Sequence, residues 1–181
     1  MIRMLLAAAC LALSGMAPAL AQSTDDLVNA LTPPVNNVLG ANHLGIGVFA
    51  KENDPGPEKV LELIEKTEAA TISVEINFAF GSSELTEDSK TSIDKVAAAI
   101  NDPRLKDYKF LVGGHTDAKG PDEVNDPLAR DRAQKVVDYL AYYDQVDPTR
   151  LVPYGFGKHQ LKNPADPYAA ENRRVQFVTL Q

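Results

Sequence analysis

Tryptophan is absent from the 181 residues, and the one cysteine, Cys10, lies in the first ten. A single thiol excludes an internal disulfide. Histidine is scarce as well. His43, His115 and His159 show no H-x-x-x-H or H-E-x-x-H spacing, so a zinc hydrolase has no ligand set. There is no G-x-S-x-G elbow to present a serine nucleophile. Gly155-Phe156-Gly157 is too short for a dinucleotide loop and follows no βαβ pattern. Asp117, Asp122, Glu123 and Asp126 are rich in carboxylate, but glycoside hydrolysis needs two that face each other, and acidic loops of this kind read as solvated turns. Positive charge is the minority: 18 basic against 25 acidic residues, net −7, which argues against nucleic acid as a partner of the whole molecule. Repeats and low-complexity tracts are missing too. The inventory contains no catalytic constellation, no metal set and no cofactor site, and points to a binding protein rather than an enzyme.

What is present begins with a leader. Arg3 precedes an apolar core, Leu5 to Met16, followed by Ala19-Leu20-Ala21, an A-x-A cleavage pattern. The core is too short to span a bilayer and reads as a cleaved signal peptide over 1–21. Ala7-Ala8-Ala9 before Cys10 lacks the large aliphatic residue of a lipidation site. Cleavage would remove both Cys10 and Arg3; the 18 basic residues less Arg3 leave 17 against 25 acidic, a balance of −8.

Residues 22–70 form an N-terminal extension with two short helical patterns. Ser23 to Leu31 has Leu27, Val28 and Leu31 on one side and meets Pro33-Pro34; Lys59 to Ala69 has Val60, Leu63 and Ile64. Asn36 to Pro57, rich in Asn, Gly and Pro, reads as linker. There are too few residues here for an outer-membrane barrel.

From Thr71 the patterning sharpens into a domain over 71–181. Ile72, Val74, Ile76, Phe78 and Phe80 alternate, which predicts a strand over 71–80 with one buried face. Thr86 is placed to cap a helix running to Ile100, its stripe Ile93, Val96, Ala97 and Ile100, with Pro103 beyond. Tyr108 to Val112 predicts a strand. A polar loop with His115, Thr116, Asp117, Gly120 and Asn125 follows, and Asp126-Pro127 reads as N-cap and first helical residue of a helix to about Tyr143. Arg150 to Tyr154 predicts a short strand, at a sheet edge because of Pro153, and Val175 to Leu180 a last strand after a long loop. The order β-α-β-α-β-β implies an α+β sandwich, two main helices on one face of a four-stranded mixed sheet. Phe78, Phe80, Phe110 and Phe177 are expected in the core, and Tyr139, Tyr142 and Tyr143 along the packing edge of the second helix rather than as a sugar platform.

On a helical wheel Arg132 lies about 80° from the centre of its apolar stripe, on the edge. A loop carboxylate, Asp117, and this helix-borne guanidinium could hold a zwitterion, though spacing alone equally describes a salt bridge or two solvated charges. The run T-D-x-x-G-x-x-x-x-N-x-x-L-x-x-x-R-A from Thr116 to Ala133, the ending Asn172-Arg173-Arg174-Val175, and Phe78-Ala79-Phe80 followed by Ser82-Ser83-Glu84-Leu85 resemble, in order, the motifs of OmpA-like peptidoglycan-binding domains. The resemblance covers about residues 72–181.

It implies noncovalent binding to the diaminopimelate of a peptidoglycan stem. Asp117 would take the ammonium and Arg132 the carboxylate. Thr116, Asn125, Arg173 and Ser83 would lie at or near the ligand, and Gly120 would shape the loop. It further implies a periplasmic, wall-bound protein, with outer-membrane or periplasmic proteins as further partners. A second implication is an envelope interaction module that binds wall weakly or not at all. Ala129 and Gly81 depart from the family, where many members carry Ser and Asp, which would weaken the pocket without removing Asp117 or Arg132.

Overall fold

In the computed structural model residues 23–34, 54–76, 78 and 82–180 are described. The expected leader, most of the Asn36–Pro57 segment, Phe80 and Gly81 lie outside them. Eight main elements follow in chain order: α1 (Thr24–Leu31), α2 (Pro57–Lys66), β1 (Thr71–Glu75), α3 (Glu87–Ile100), β2 (Lys109–His115), α4 (Asp122–Tyr142), β3 (Leu151–Gly157) and β4 (Arg174–Leu180). The strands form one mixed sheet in the order β1-β4-β2-β3. β4 is antiparallel to both neighbours, while β2 and β3 are parallel. This is the α+β architecture expected from the patterning, with β3 and its Pro153 on an edge, where a missing N–H costs no ladder bond.

The pleat sorts the sheet residues into two layers. Ile72, Val74, Phe110, Val112, Val175 and Phe177 face a core shared with α1, α3 and α4. Leu111, Tyr154, Phe156, Val178 and Leu180 face the other way and are covered by Val60, Leu61 and Ile64 of α2. Both short N-terminal helices therefore bury apolar side chains against the sheet. α1 starts from a capping box, the Ser23 hydroxyl accepting from the Asp26 N–H while Asp26 accepts from the Ser23 N–H. Its far end is tied to β4, the Thr179 hydroxyl donating to the Leu31 carbonyl at 2.6 Å. α2 is anchored by Asp54. One carboxylate oxygen accepts from the Tyr154 hydroxyl at 2.7 Å and from the Gly56 N–H, and the other from Arg130 at 3.0 Å.

Four boundaries differ from expectation, each for a local reason. β1 stops at Glu75 because its partner runs out at Arg174; Phe78 makes only a lone bridge to Leu85. β2 continues through Gly113 and Gly114, paired on both sides, and through His115, paired with β3, where a loop was expected from Gly113 onward. β3 likewise extends to Gly157, so Phe156 is a buried core ring rather than a loop residue. The fourth concerns α4, whose first residue is Asp122, not Pro127. Pro121 is the N-cap, its carbonyl accepting from the Val124 and Asn125 N–H groups, and acidic Asp122 and Glu123 occupy the first turn where the helix dipole favours them. Pro127 sits inside the helix and forfeits one backbone bond. Among the described residues no helix is long and apolar enough to cross a membrane.

Candidate ligand-binding site

α4 leans closely on β2 because β2 has no side chain at the crossing. A Cβ on Gly114 would overlap the backbone carbonyl oxygen of Ala129, which is itself fully buried. The family departure at Ala129 thus falls at the helix–strand contact. This close seat fixes where the rest of α4 presents its side chains.

The loop from Thr116 to Pro121 joins β2 to α4. Its start is pinned by the Thr116 N–H donating to Gly157 and the Ala118 N–H donating to Pro167. Its end is pinned by Asn125, whose amide donates to the carbonyls of Lys119 and Gly120, and by Lys158, which donates to Gly120. Gly120 has φ +95°, a region costly for any residue with a Cβ. Asn125 is buried in the first turns of α4 and faces the loop backbone. Thr116 is buried too, and its hydroxyl has no hydrogen-bond partner among the described residues.

On this scaffold three charges converge. Asp117 accepts from the Lys119 N–H through one oxygen and from Arg173 Nη1 at 3.0 Å through the other. Arg132 is only 4% exposed. Its Nε donates to the Ser82 carbonyl at 3.3 Å and its guanidinium lies 4.6 Å from the centre of the Phe78 ring. Among the described residues no carboxylate comes within ion-pair distance of Arg132; the nearby Asp117 is paired with Arg173 instead. Burial, and next the like charge of Arg173, lower the Arg132 pKa, with Asp117 opposing. The site therefore holds two guanidiniums and one carboxylate in a partly dry setting. It is short of one negative charge, because a buried cation is ordinarily matched.

Ser83 stands one residue beyond the carbonyl that Arg132 grips and is among the residues lining a groove beside α4. His115, expected in the loop, ends β2 instead, where a register shift after Gly114 turns it inward. It is fully buried, stacked on Phe156 with centroids 4.9 Å apart, and its Nε2 donates to the Gln176 side-chain oxygen. Its pKa is held down at about 3, mainly by burial and then by the charge of Arg174.

Two contributors were quoted as motif residues but given no role at the site. Phe78, assigned to the core, packs against it but is only partly buried and floors Arg132; alternation with Ile72, Val74 and Ile76 carries no signal for that role. Asn172 is fully buried and organises the loop before β4, accepting from the Asn163 N–H and donating to the Asp166 carbonyl. Its place beside Arg173 was the available hint. Tyr142 and Tyr143, expected on a packing edge, are 79% and 66% exposed. Asp122, Asp126 and His159 bring oxygen and nitrogen ligand atoms within 4.8 Å of one another, but Lys158 already sits 3.2 Å from Asp122 as its counter-charge.

The family model described as the OmpA family matches residues 77–176. Among curated proteins the chain is 34% identical over 110 residues to outer membrane protein A of Serratia marcescens, covering 59% of this chain and 30% of that protein. To outer membrane protein A of Shigella flexneri it is 30% identical over 112 residues, covering 60% and 31%. The chain spans less than a third of the length of these relatives. Among solved structures it resembles the OmpA-like domain of FopA1 from Francisella tularensis subsp. tularensis SCHU S4, with TM-score 0.53 and 23% identity over 61% of this chain and 73% of that one. It also resembles the periplasmic domain of Helicobacter pylori MotB, with TM-score 0.54, 22% identity and coverage of 62% and 83%. The peptidoglycan-associated lipoprotein of Burkholderia pseudomallei gives TM-score 0.50, 23% identity and coverage of 59% and 88%. These structural likenesses concern the fold.

Proposed function

Since the chain belongs to the OmpA family, we propose that it binds peptidoglycan noncovalently through the diaminopimelate of the stem peptide. In this reading residues 1–21 are a cleaved leader, 22–70 an extension, and 71–181 the wall-binding domain of a periplasmic, non-catalytic envelope protein. The observation that carries it is Arg132: a buried guanidinium with no carboxylate within ion-pair distance among the described residues, beside an Asp117–Arg173 pair. The free end of meso-diaminopimelate bears an ammonium and a carboxylate on one carbon. Its carboxylate supplies the missing negative charge to Arg132, with Arg173 as second donor, and its ammonium adds a cation next to Asp117. Each charge-assisted hydrogen bond formed there is worth about 1.5–3 kcal/mol, enough to favour a zwitterionic stem over a neutral one. Thr116 and Asn125 hold the loop in place, Gly120 sets its turn, and Ser83 meets the stem where it leaves the clamp. The relation to a peptidoglycan-associated lipoprotein and to a periplasmic domain supports the same assignment.

The test is co-sedimentation of the leaderless protein with diaminopimelate-type sacculi, with and without free meso-diaminopimelate, alongside Arg132→Ala. Sedimentation that the competitor and the substitution both abolish supports the clamp. A folded protein that stays in solution makes the second implication, a module for an outer-membrane or periplasmic protein partner, the better account.

A further inference from the structure

Three elements bring a histidine and three carboxylates together. Asp122 and Asp126 stand four residues apart, on one face of the first turns of α4. His159 follows β3, in a turn closed by its N–H donating to the Phe156 carbonyl. Glu58 lies in the first turn of α2. Ligand atoms of Asp122, Asp126 and His159 lie within 4.8 Å of one another, the only such set of three among the described residues. An open groove of about 450 Å³, which Glu58, Asp126 and His159 help to line, gives access from solvent.

The spacing is that of ligands around an ion, not of a hydrogen-bonded pair. His159 Nε2 is 3.6 Å from Asp126 Oδ1, too long for a hydrogen bond. Metal bonds of about 2.0–2.2 Å meeting at a tetrahedral angle place a nitrogen and an oxygen ligand about 3.4 Å apart. Asp126 Oδ1 is also closed off from solvent and accepts no hydrogen bond among the described residues, which costs free energy until a cation or a donor reaches it. Gly157 permits this approach: its φ is +56°, and a Cβ there would collide with that same oxygen. Across the ring, Nδ1 faces Glu58 Oε1 at 4.0 Å. A ligating histidine is ordinarily held in this order, one nitrogen toward the ion and the other giving its proton to a carboxylate. The charge balance agrees. Lys158, 3.2 Å from Asp122, offsets one of the three carboxylates, so two negative charges remain when the imidazole is neutral, as ligation requires.

We propose that Asp122, Asp126 and His159 bind a divalent transition-metal ion such as zinc, with Glu58 orienting the imidazole and water completing the coordination. A nitrogen ligand among carboxylates suits zinc better than magnesium or calcium, which take oxygen ligands. The ligands belong to α4 and the turn after β3, whereas Glu58 belongs to α2. The ion therefore fastens the N-terminal extension to the domain. It uses none of Arg132, Asp117 and Arg173, so it stands apart from the clamp.

The experiment titrates zinc chloride into the purified protein, freed of metal with EDTA and dialysed, and follows heat and melting temperature. The wild type should take up one ion per chain and melt at a higher temperature when loaded, because the ion binds only the folded chain tightly. Magnesium and calcium at the same concentration should do neither. His159→Ala and Asp122→Asn, both at surface positions, should each weaken zinc binding at least tenfold. Glu58→Gln, which acts through the imidazole, should weaken it about tenfold. Arg132→Ala should bind zinc as the wild type does. Urea midpoints without metal check that each variant is folded. A wild type that takes up no zinc overturns the site. Zinc binding unchanged in either His159→Ala or Asp122→Asn, which marks an adventitious ion only, overturns it as well.

Discussion

Arg173 Nη1 lies 3.0 Å from Asp117 Oδ2, so the loop carboxylate is oriented by a residue at the far end of the domain sequence before any ligand is present. The Lys119 N–H holds the other oxygen, which leaves Asp117 little rotational freedom. Removing the guanidinium while keeping a polar side chain, Arg173→Gln, should loosen Asp117 and weaken sacculus binding by about tenfold, whereas Asp117→Asn should weaken it more because the charge itself is lost. Titrated pull-down would decide the order; an Arg173→Gln variant weaker than Asp117→Asn would contradict it.

Arg132→Met should separate stability from binding. The side chain is buried with one hydrogen bond and an aromatic ring for company, so an apolar substitute of similar length should leave the urea midpoint unchanged or higher. Wall binding should fall about a hundredfold or more, from loss of the charge-assisted bonds to the ligand carboxylate. A variant that is less stable yet still binds would assign Arg132 a structural role instead.

Gly114→Ala places a methyl group against the Ala129 carbonyl, a backbone atom that cannot swing aside. The expected cost is about 1–3 kcal/mol of stability, from overpacking. Because α4 must shift to relieve the contact, Arg132 moves with it and sacculus affinity should drop as well. Thermal melts alongside pull-down check both. A Gly114→Ala protein as stable as the wild type would show that the contact between α4 and β2 is looser than described.

His115 makes stability pH-dependent. Its folded-state pKa, near 3, lies below the unfolded value of about 6.5, so the unfolded chain takes up a proton that the folded chain refuses. Its contribution is complete above about pH 6.5 and declines as pH falls toward 3, by at most about 1.4 kcal/mol per pH unit. His115→Gln, which can keep a hydrogen bond to Gln176, should show a shallower loss between pH 7 and pH 5 in urea titrations. Parallel pH curves for the two proteins would remove His115 as the source.

Period-two alternation at Ile72 and Val74 and the 3.6-residue stripe at Ile93, Val96 and Ile100 announced β1 and α3, because each buries one face and its composition has to obey that. Thr86 announced the start of α3, its hydroxyl accepting from the Ser89 N–H. The start of α4 was not legible. Pro127 is a good first helical residue by its own geometry, and nothing local says that Pro121 and Asn125 will build a turn ahead of it. Gly113 and Gly114 read as loop for a similar reason: only the arrival of β3, β4 and the α4 backbone makes two glycines useful inside a strand. Asp117 and Arg132 were legible as types, but their relation was not. Spacing alone equally describes a salt bridge or two solvated charges, whereas the ion pair is between Asp117 and Arg173, fifty-six positions apart in the sequence.

β4 is the strand that joins the others: among the described residues β1 has no strand partner except β4, and β2 meets β1 only across it. Thr71 waits for Val178, and Leu31 for Thr179. A growing chain can assemble the β2–α4–β3 unit and pack α1 and β1 on α3 early, but β1 gains its strand partner and Leu31 its Thr179 donor only when β4 arrives. Such long-range closure is slow, and it leaves apolar surface open in the meantime. Completion of the sheet therefore depends on β4, whichever helices have formed before it.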